Sequence, residues 1–291
     1  MKLKPAQLVG LPFAIAAFVG FYLAYTKSSD YALYAALPLI LLSVTFVMSP
    51  QINWWWYKRN PPDTPAGITR FLENVPYYRL LNPNLKPKFR QRVALYMEGN
   101  QFMRPAPPQE DNRTRSDVPE DLKAAAAASA VQLTFGLKDF MLDKFENIII
   151  YPQAFPSPQY PDRLHLSEVY EADGVVIFSA DALIQGLTNQ NLFNVGLYEY
   201  AKAYQIQYLK MKPIQWEASI WEKLAAVGGM NETDFQRFLN LPDIDIFGVA
   251  VHHFFKLPVA FQKVLPKLFQ LFEKMFKQNP LNVTMPIDSN T

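Results

Sequence analysis

Two uncharged apolar runs, Leu8 to Tyr25 and Tyr31 to Met48, open the chain and leave that end little choice of structure. Each is 18 residues long, which as helix spans about 27 Å, close to the hydrocarbon thickness of a bilayer. Only Thr26-Lys27-Ser28-Ser29-Asp30 separates them, enough for a tight helical hairpin. A soluble hairpin needs a polar face on each helix, and these runs are apolar all round. No small-x-small cleavage site follows the first run and a second run comes at once, which argues against a cleaved signal peptide. Trp54, Trp55, Trp56 and Tyr57, then Lys58 and Arg59, place ring and cation where the headgroup layer favours them. Residues 1–59 are therefore expected to form a transmembrane hairpin, with helices at about 8–25 and 31–48. Lys2, Lys4, Lys58 and Arg59 flank the hairpin against the single Lys27 inside it. By the positive-inside tendency both termini face the cytoplasm, giving a multi-pass protein of the inner membrane with a cytoplasmic soluble domain.

Charge bounds the rest of the 291 residues. There are 28 Lys+Arg against 26 Asp+Glu, and the first 60 positions hold five of the bases and one acid. The remainder keeps 23 bases and 25 acids, a net −2. A nearly neutral soluble part has no electrostatic footprint for nucleic acid. With no cysteine, neither a disulfide framework nor a thiolate ligand or nucleophile is available.

After the hairpin, Asn60-Pro61-Pro62-Asp63-Thr64-Pro65 reads as a stiff linker, extending to about residue 69. Helices are expected over Ile68–Leu81 and Lys86–Glu98, then an exposed loop, rich in proline and charge, over Met103–Asp117. Asp117, Pro119 and Glu120 signal a helix start, and the helix Asp121–Thr134 is alanine-rich, so it should pack closely on a neighbour. Asn147 to Tyr151 is a β-branched strand stopped by Pro152, Val175 to Phe178 a second, and Leu164–Val169 a third. Further helices are expected over Asp181–Gly186, Asn191–Met211, Ile214–Val227, Asp245–Lys256 and Pro258–Lys277. The class is α+β, mainly helical with a small sheet. The soluble domain is placed at 70–281, with a tail at 282–291.

Several separated blocks carry a resemblance. Val118-Pro119-Glu120 leads into the alanine-rich helix and a strand closed by Tyr151-Pro152. The strand and turn from Gly174 to Asp181 precede Leu183–Gly186. Then come Asn194-Val195-Gly196-Leu197-Tyr198-Glu199-Tyr200-Ala201-Lys202, and Phe247-Gly248-Val249-Ala250-Val251-His252-His253-Phe254-Phe255 with Pro258 beyond. Gln278-Asn279-Pro280-Leu281 closes the domain. Over about Arg70 to Leu281 this order resembles the family of Mlc titration factor A, zincin-type zinc peptidases. The resemblance implies a zincin-like fold and an Asn-Val-x-x-His-Glu-Phe-Ala-His type of helix. The two histidines of that pattern fall on Tyr198 and Lys202, and the family's downstream acidic residue, taken as the third ligand, falls on His252. Glu199, the general base of active relatives, stays in place. The stretch from Ala203 to Asp245 also departs from the longer polar loop of that family.

The departures fall on the chemistry. A catalytic zinc takes three protein ligands and a water, and two histidines at i and i+4 serve because they share a helix face. An ammonium has no lone pair, and a phenol with a reference pKa near 10 must lose its proton first. Only His165, His252 and His253 remain in the chain, and adjacent residues on a helix point about 100° apart. The expectation is therefore no metal and no cofactor, with the Lys202 ammonium in part of the zinc volume, paired to Glu199. Two alternatives stay open: a rearranged zinc site from His252, Glu199 and Tyr198, and a merely solvated i, i+3 ion pair.

His165 is read as structural rather than cleft-lining, and Tyr198, Tyr200, Tyr204 and Tyr208 as packing rather than a ligand cluster. The closing helix is read as core-completing rather than lying on a membrane. Asn231-Glu232-Thr233 and Asn282-Val283-Thr284 match a glycosylation pattern without weight in a cytoplasmic domain. The function expected is that of a membrane-anchored, peptidase-like protein of bacterial type, without its metal, that binds or scaffolds a cytoplasmic protein. The rival is an active zinc-dependent (amino)peptidase with non-standard ligands.

Overall fold

The computed structural model describes residues 4–105, 118–209 and 213–282, and the chain divides into two compact units, Met1–Pro62 and Asp63–Thr291. The first unit is a helical hairpin. Helix α1 (Pro5–Thr26) turns through a single 3₁₀ turn at Ser29–Tyr31 into α2 (Ala32–Val47). Helix α3 (Ser49–Arg59) follows, so the tryptophan cluster, read from sequence only as an aromatic girdle, is helical. Its Asn53 Oδ1 accepts from the Ala6 N–H at 2.8 Å, satisfying a donor left free in the first turn of α1. Both long helices are long and apolar enough to cross a membrane, and only 17% and 11% of their apolar windows are buried. A soluble core helix, by contrast, would hide its apolar surface. The two helices meet through small residues: a Cβ built on Gly20 would lie 2.9 Å from the Ala35 Cβ.

The second unit begins with α4 (Ala66–Leu72), α5 (Pro76–Leu80) and α6 (Lys86–Gly99). The single helix expected over 68–81 is thus two, and the expected linker ends before residue 69. The break falls where Val75 turns extended ahead of Pro76, whose ring disfavours helical backbone in the residue before it. Next come β1 (Gln101–Met103), α7 (Glu120–Thr134), β2 (Asn147–Tyr151), β3 (Ser167–Tyr170) and β4 (Val175–Ser179). Most of the expected 103–117 loop, and the start signal at Asp117, lie outside the described residues. The sheet order is β1-β2-β4-β3, parallel except for the antiparallel edge strand β3. Ile148 pairs with Val176 and Ile150 with Phe178, and these four side chains are buried.

The remaining elements are helical: α8 (Ala180–Thr188), α9 (Val195–Tyr204), α10 (Ile220–Gly228), α11 (Glu232–Leu239), α12 (Ile246–Lys256), α13 (Pro258–Val264) and α14 (Pro266–Phe276). The helix expected from Asn191 starts four residues later, because the Asn194 side chain caps it. It leaves α-geometry in a π-turn at Gln205–Leu209; residues 210 and 211 lie outside the described residues. Residues 214–219 of the helix expected from Ile214 are not helical, and α10 ends on left-handed Gly229. The long closing helix is broken at Leu265 by Pro266, which starts α14. Beyond Asn282 the expected tail lies outside the described residues.

The core is a bundle around α9. The run Ala124–Ala128 on α7 is fully buried, and a Cβ on Gly196 of α9 would come within 2.3 Å of Ser129 Oγ. On the other side, a Cβ on Gly248 of α12 would sit 2.6 Å from the Tyr198 ring. Two glycines and a row of alanines thus let α7 and α12 close on α9 at backbone distance, and that clamp positions the site.

Candidate functional site

Helix α9 carries the site. The Asn194 Oδ1 accepts from the Leu197 N–H at 3.1 Å and starts the helix at Val195. One turn on, Tyr198 and Glu199 are wholly buried. Glu199 Oε1 accepts from Ser167 Oγ of β3 at 2.8 Å, and Glu199 Oε2 lies 2.7 Å from Lys202 Nζ. The Lys202 ammonium also sits 5.0 Å over the Tyr198 ring. The Tyr198 hydroxyl accepts from the Asp245 backbone N–H at 3.0 Å, while Asp245 Oδ1 caps α12 through the Gly248 N–H.

The electrostatics follow from burial. Burial raises the Glu199 carboxyl above its ordinary value, against the opposing pull of Lys202 and the Ser167 hydrogen bond. Burial also works against the Lys202 ammonium. There the negative charge of Glu199 outweighs it, with help from Tyr198, so the lysine pKa lies above its usual value. The side chain of Lys202 is 19% exposed, so water screens part of the pair. Burial pushes the Tyr198 phenol up, despite the nearby Lys202. The phenol therefore keeps its proton at neutral pH.

Beside this pair lies a second buried acid. Glu168 of β3 bonds His165 Nε2 at 2.9 Å, and His165 packs between Phe155 and Tyr160. Burial would raise the Glu168 carboxyl, but His165 and Ser157 outweigh that and hold it below its ordinary value. His165 is thus a partner inside the fold. Tyr204 packs at a tilt against Tyr208 and Phe276, and Asn231 caps α11 through its side chain.

His252 and His253 converge more than their 100° offset suggests: their Nδ1 atoms lie 3.1 Å apart. One ring donates and the other accepts. Burial, then the neighbouring His253 and Lys256, depresses His252 well below the usual imidazole range, and burial takes His253 down to about 4. His252 also lies against Phe193, centroid to centroid 4.2 Å.

The structure therefore brings Glu199, Lys202 and Tyr198 together, while the Nδ1 of His252 is turned to His253. Ser167, Glu168 and Asp245 belong to the same surroundings and were not singled out for it. A serine and a glutamate in an ordinary strand give no spacing signal, and Asp245 reads only as a helix start.

A protein-family model described as glucose-regulated metallo-peptidase M90 matches residues 52–277. The chain belongs to this family. The match runs from within α3 to the end of α14 and takes in every element of the site. It is the Mlc titration factor A family that the spaced sequence blocks resemble. No curated protein matches the chain significantly.

Membership of a metallo-peptidase family raises the question of whether these residues fit a zinc ion. They do not. A cationic lysine stands 2.7 Å from Glu199, and the Tyr198 phenol is protonated and engaged by the Asp245 backbone. Among the described residues no three His, Asp or Glu side chains are grouped so as to hold a metal. In the M90 domain of this chain Glu199 is held by Ser167 and by the Lys202 ammonium.

Proposed function

We propose that this is a membrane-anchored member of the M90 family that has lost metal-dependent hydrolysis and works by binding or scaffolding another protein. The observation that carries the reading is the Lys202 ammonium, 2.7 Å from Glu199 Oε2. A general base must reach water and take a proton from it. Here both Glu199 oxygens are engaged, by Ser167 and by a cation, and the carboxylate is fully buried. Glu199 is then a residual catalytic position, and Tyr198, Lys202 and His252 are its degenerate ligand positions. The apolar hairpin supplies the anchor. Its flanking Lys4, Lys58 and Arg59 favour the cytoplasmic membrane, with the second unit on the cytoplasmic side and a cytoplasmic protein as partner. The near-neutral second unit supports no nucleic-acid role.

Elemental analysis of full-length protein purified without chelators tests the reading. The expected result is far less than one zinc per chain and no chelator-sensitive peptidase activity. One tightly held equivalent would overturn it. The active-peptidase alternative draws on one feature, the buried Nε2 of His252, which has no hydrogen-bond partner. It requires a chelator-sensitive activity that Glu199→Gln abolishes.

A further inference from the structure

The exposed face of α13 and α14 is charged in one sense. Lys263, Lys267, Lys274 and Lys277 are all exposed there. Glu273, the one acid of residues 258–277, is half-buried and accepts from Asn279 at 2.8 Å. This collection of cations belongs to a unit whose net charge is −2, so the charge is segregated rather than spread. Lys267, Leu271 and Lys274 fall at i, i+4 and i+7 and share one helix face. Leu271 is 42% exposed there, and on α13 Val259, 71% exposed, stands one turn before Lys263 on that helix's face. Leu271 also borders a slot of about 400 Å³ walled by Trp216, Ile214, Ile220 and Leu268. The slot's acid, Glu217, is already paired with Lys223.

We propose that this face docks on an anionic lipid surface, the lysines meeting phosphate headgroups while Val259 and Leu271 enter the acyl boundary. Two features single out a bilayer over a soluble acidic partner. On each helix cations share a face with an exposed aliphatic side chain, Leu271 with Lys267 and Lys274 and Val259 with Lys263, the pattern of interfacial binding. And the chain itself carries two helices able to span a membrane, joined to this unit by a short proline-rich linker, so a bilayer is the partner held at high effective concentration. The inference rests on the membrane reading of the hairpin.

The chain has no cysteine, so single cysteines can carry an environment-sensitive dye. Full-length Leu271→Cys, Phe18→Cys and Leu164→Cys are reconstituted in nanodiscs of phosphatidylcholine alone or with added phosphatidylglycerol. The dye at 271 should shift to the blue, and be quenched by brominated acyl chains, only in the anionic discs, while the dye at 164 stays aqueous. Each lysine of the face replaced by glutamine should lower the docked-to-free ratio about fivefold. Joint Lys263→Glu, Lys267→Glu and Lys274→Glu should abolish the shift. A dye at 271 that stays aqueous, ignores lipid charge or survives the triple reversal overturns the docking surface alone. A dye at 164 that shifts as well overturns it as non-specific. A dye at position 18 outside the acyl chains overturns the anchor, and the docking with it.

Discussion

At Lys202 a cation stands 2.7 Å from Glu199, and the energetics of that buried carboxylate hang on it. Breaking a buried pair by removing one partner commonly costs about 3–5 kcal/mol, because the other charge is left uncompensated. Lys202 is partly wetted and Glu199 can take up a proton, so Lys202→Met should cost the low end, about 3 kcal/mol. Urea denaturation at pH 7.5 measures this, and adding Glu199→Gln should recover most of it. The pH course distinguishes this from lost packing. A carboxyl whose folded pKa is raised contributes stability that is fully present below its unfolded value and is lost as pH rises through the folded one. In Lys202→Met that loss deepens, so the deficit should shrink on acidification. The histidine pair runs the other way. Its folded values are depressed, to about 4 for His253, against about 6.5 unfolded. Its contribution is present above about pH 6.5 and is lost as pH falls toward 4. Stability should therefore decline between pH 7 and 5, and His253→Gln should flatten that slope in the same denaturation series.

At the level of elements, the clamp on α9 decides how far the site can rearrange. Gly196→Ala would drive a Cβ into Ser129 Oγ and Cβ of α7, an overpacking that costs about 1–3 kcal/mol. Thermal melts should show the loss, and Ser129→Gly in the same chain should reverse part of it. What was legible in the chain follows the same physics. The β-branched run at 147–151 reads as a strand because its own residues prefer one, and the alanines of α7 announce a close neighbour. The Glu199–Lys202 pair is visible because i and i+3 share a helix face. By contrast β1 is three residues, Gln-Phe-Met, held only by pairing to β2, so nothing local declares it. Ser167 reaches Glu199 across 32 positions of chain, a distance no periodicity crosses. The helix at Glu232–Leu239 is a different case. Its capping box, Asn231 with Asp234, was present to be read, as were Pro76 and Pro266 at the broken helices.

For the whole molecule, the two units treat their apolar residues in opposite ways. The second unit hides its apolar residues around α9, whereas α1 and α2 turn theirs outward, Phe18 and Leu33 among them. Full-length protein should accordingly stay in the membrane pellet through alkaline carbonate extraction, and immunoblotting of pellet and supernatant checks this. Release into the supernatant would refute the hairpin as a span.

An ion can be stripped, starved or exchanged for another, but a side chain cannot. If Lys202 supplies the positive charge at this centre, the fold is complete as soon as translation ends. Scarcity of a trace element or competition from a foreign cation would then leave it unchanged, and whatever governs the protein's action must arrive by another route.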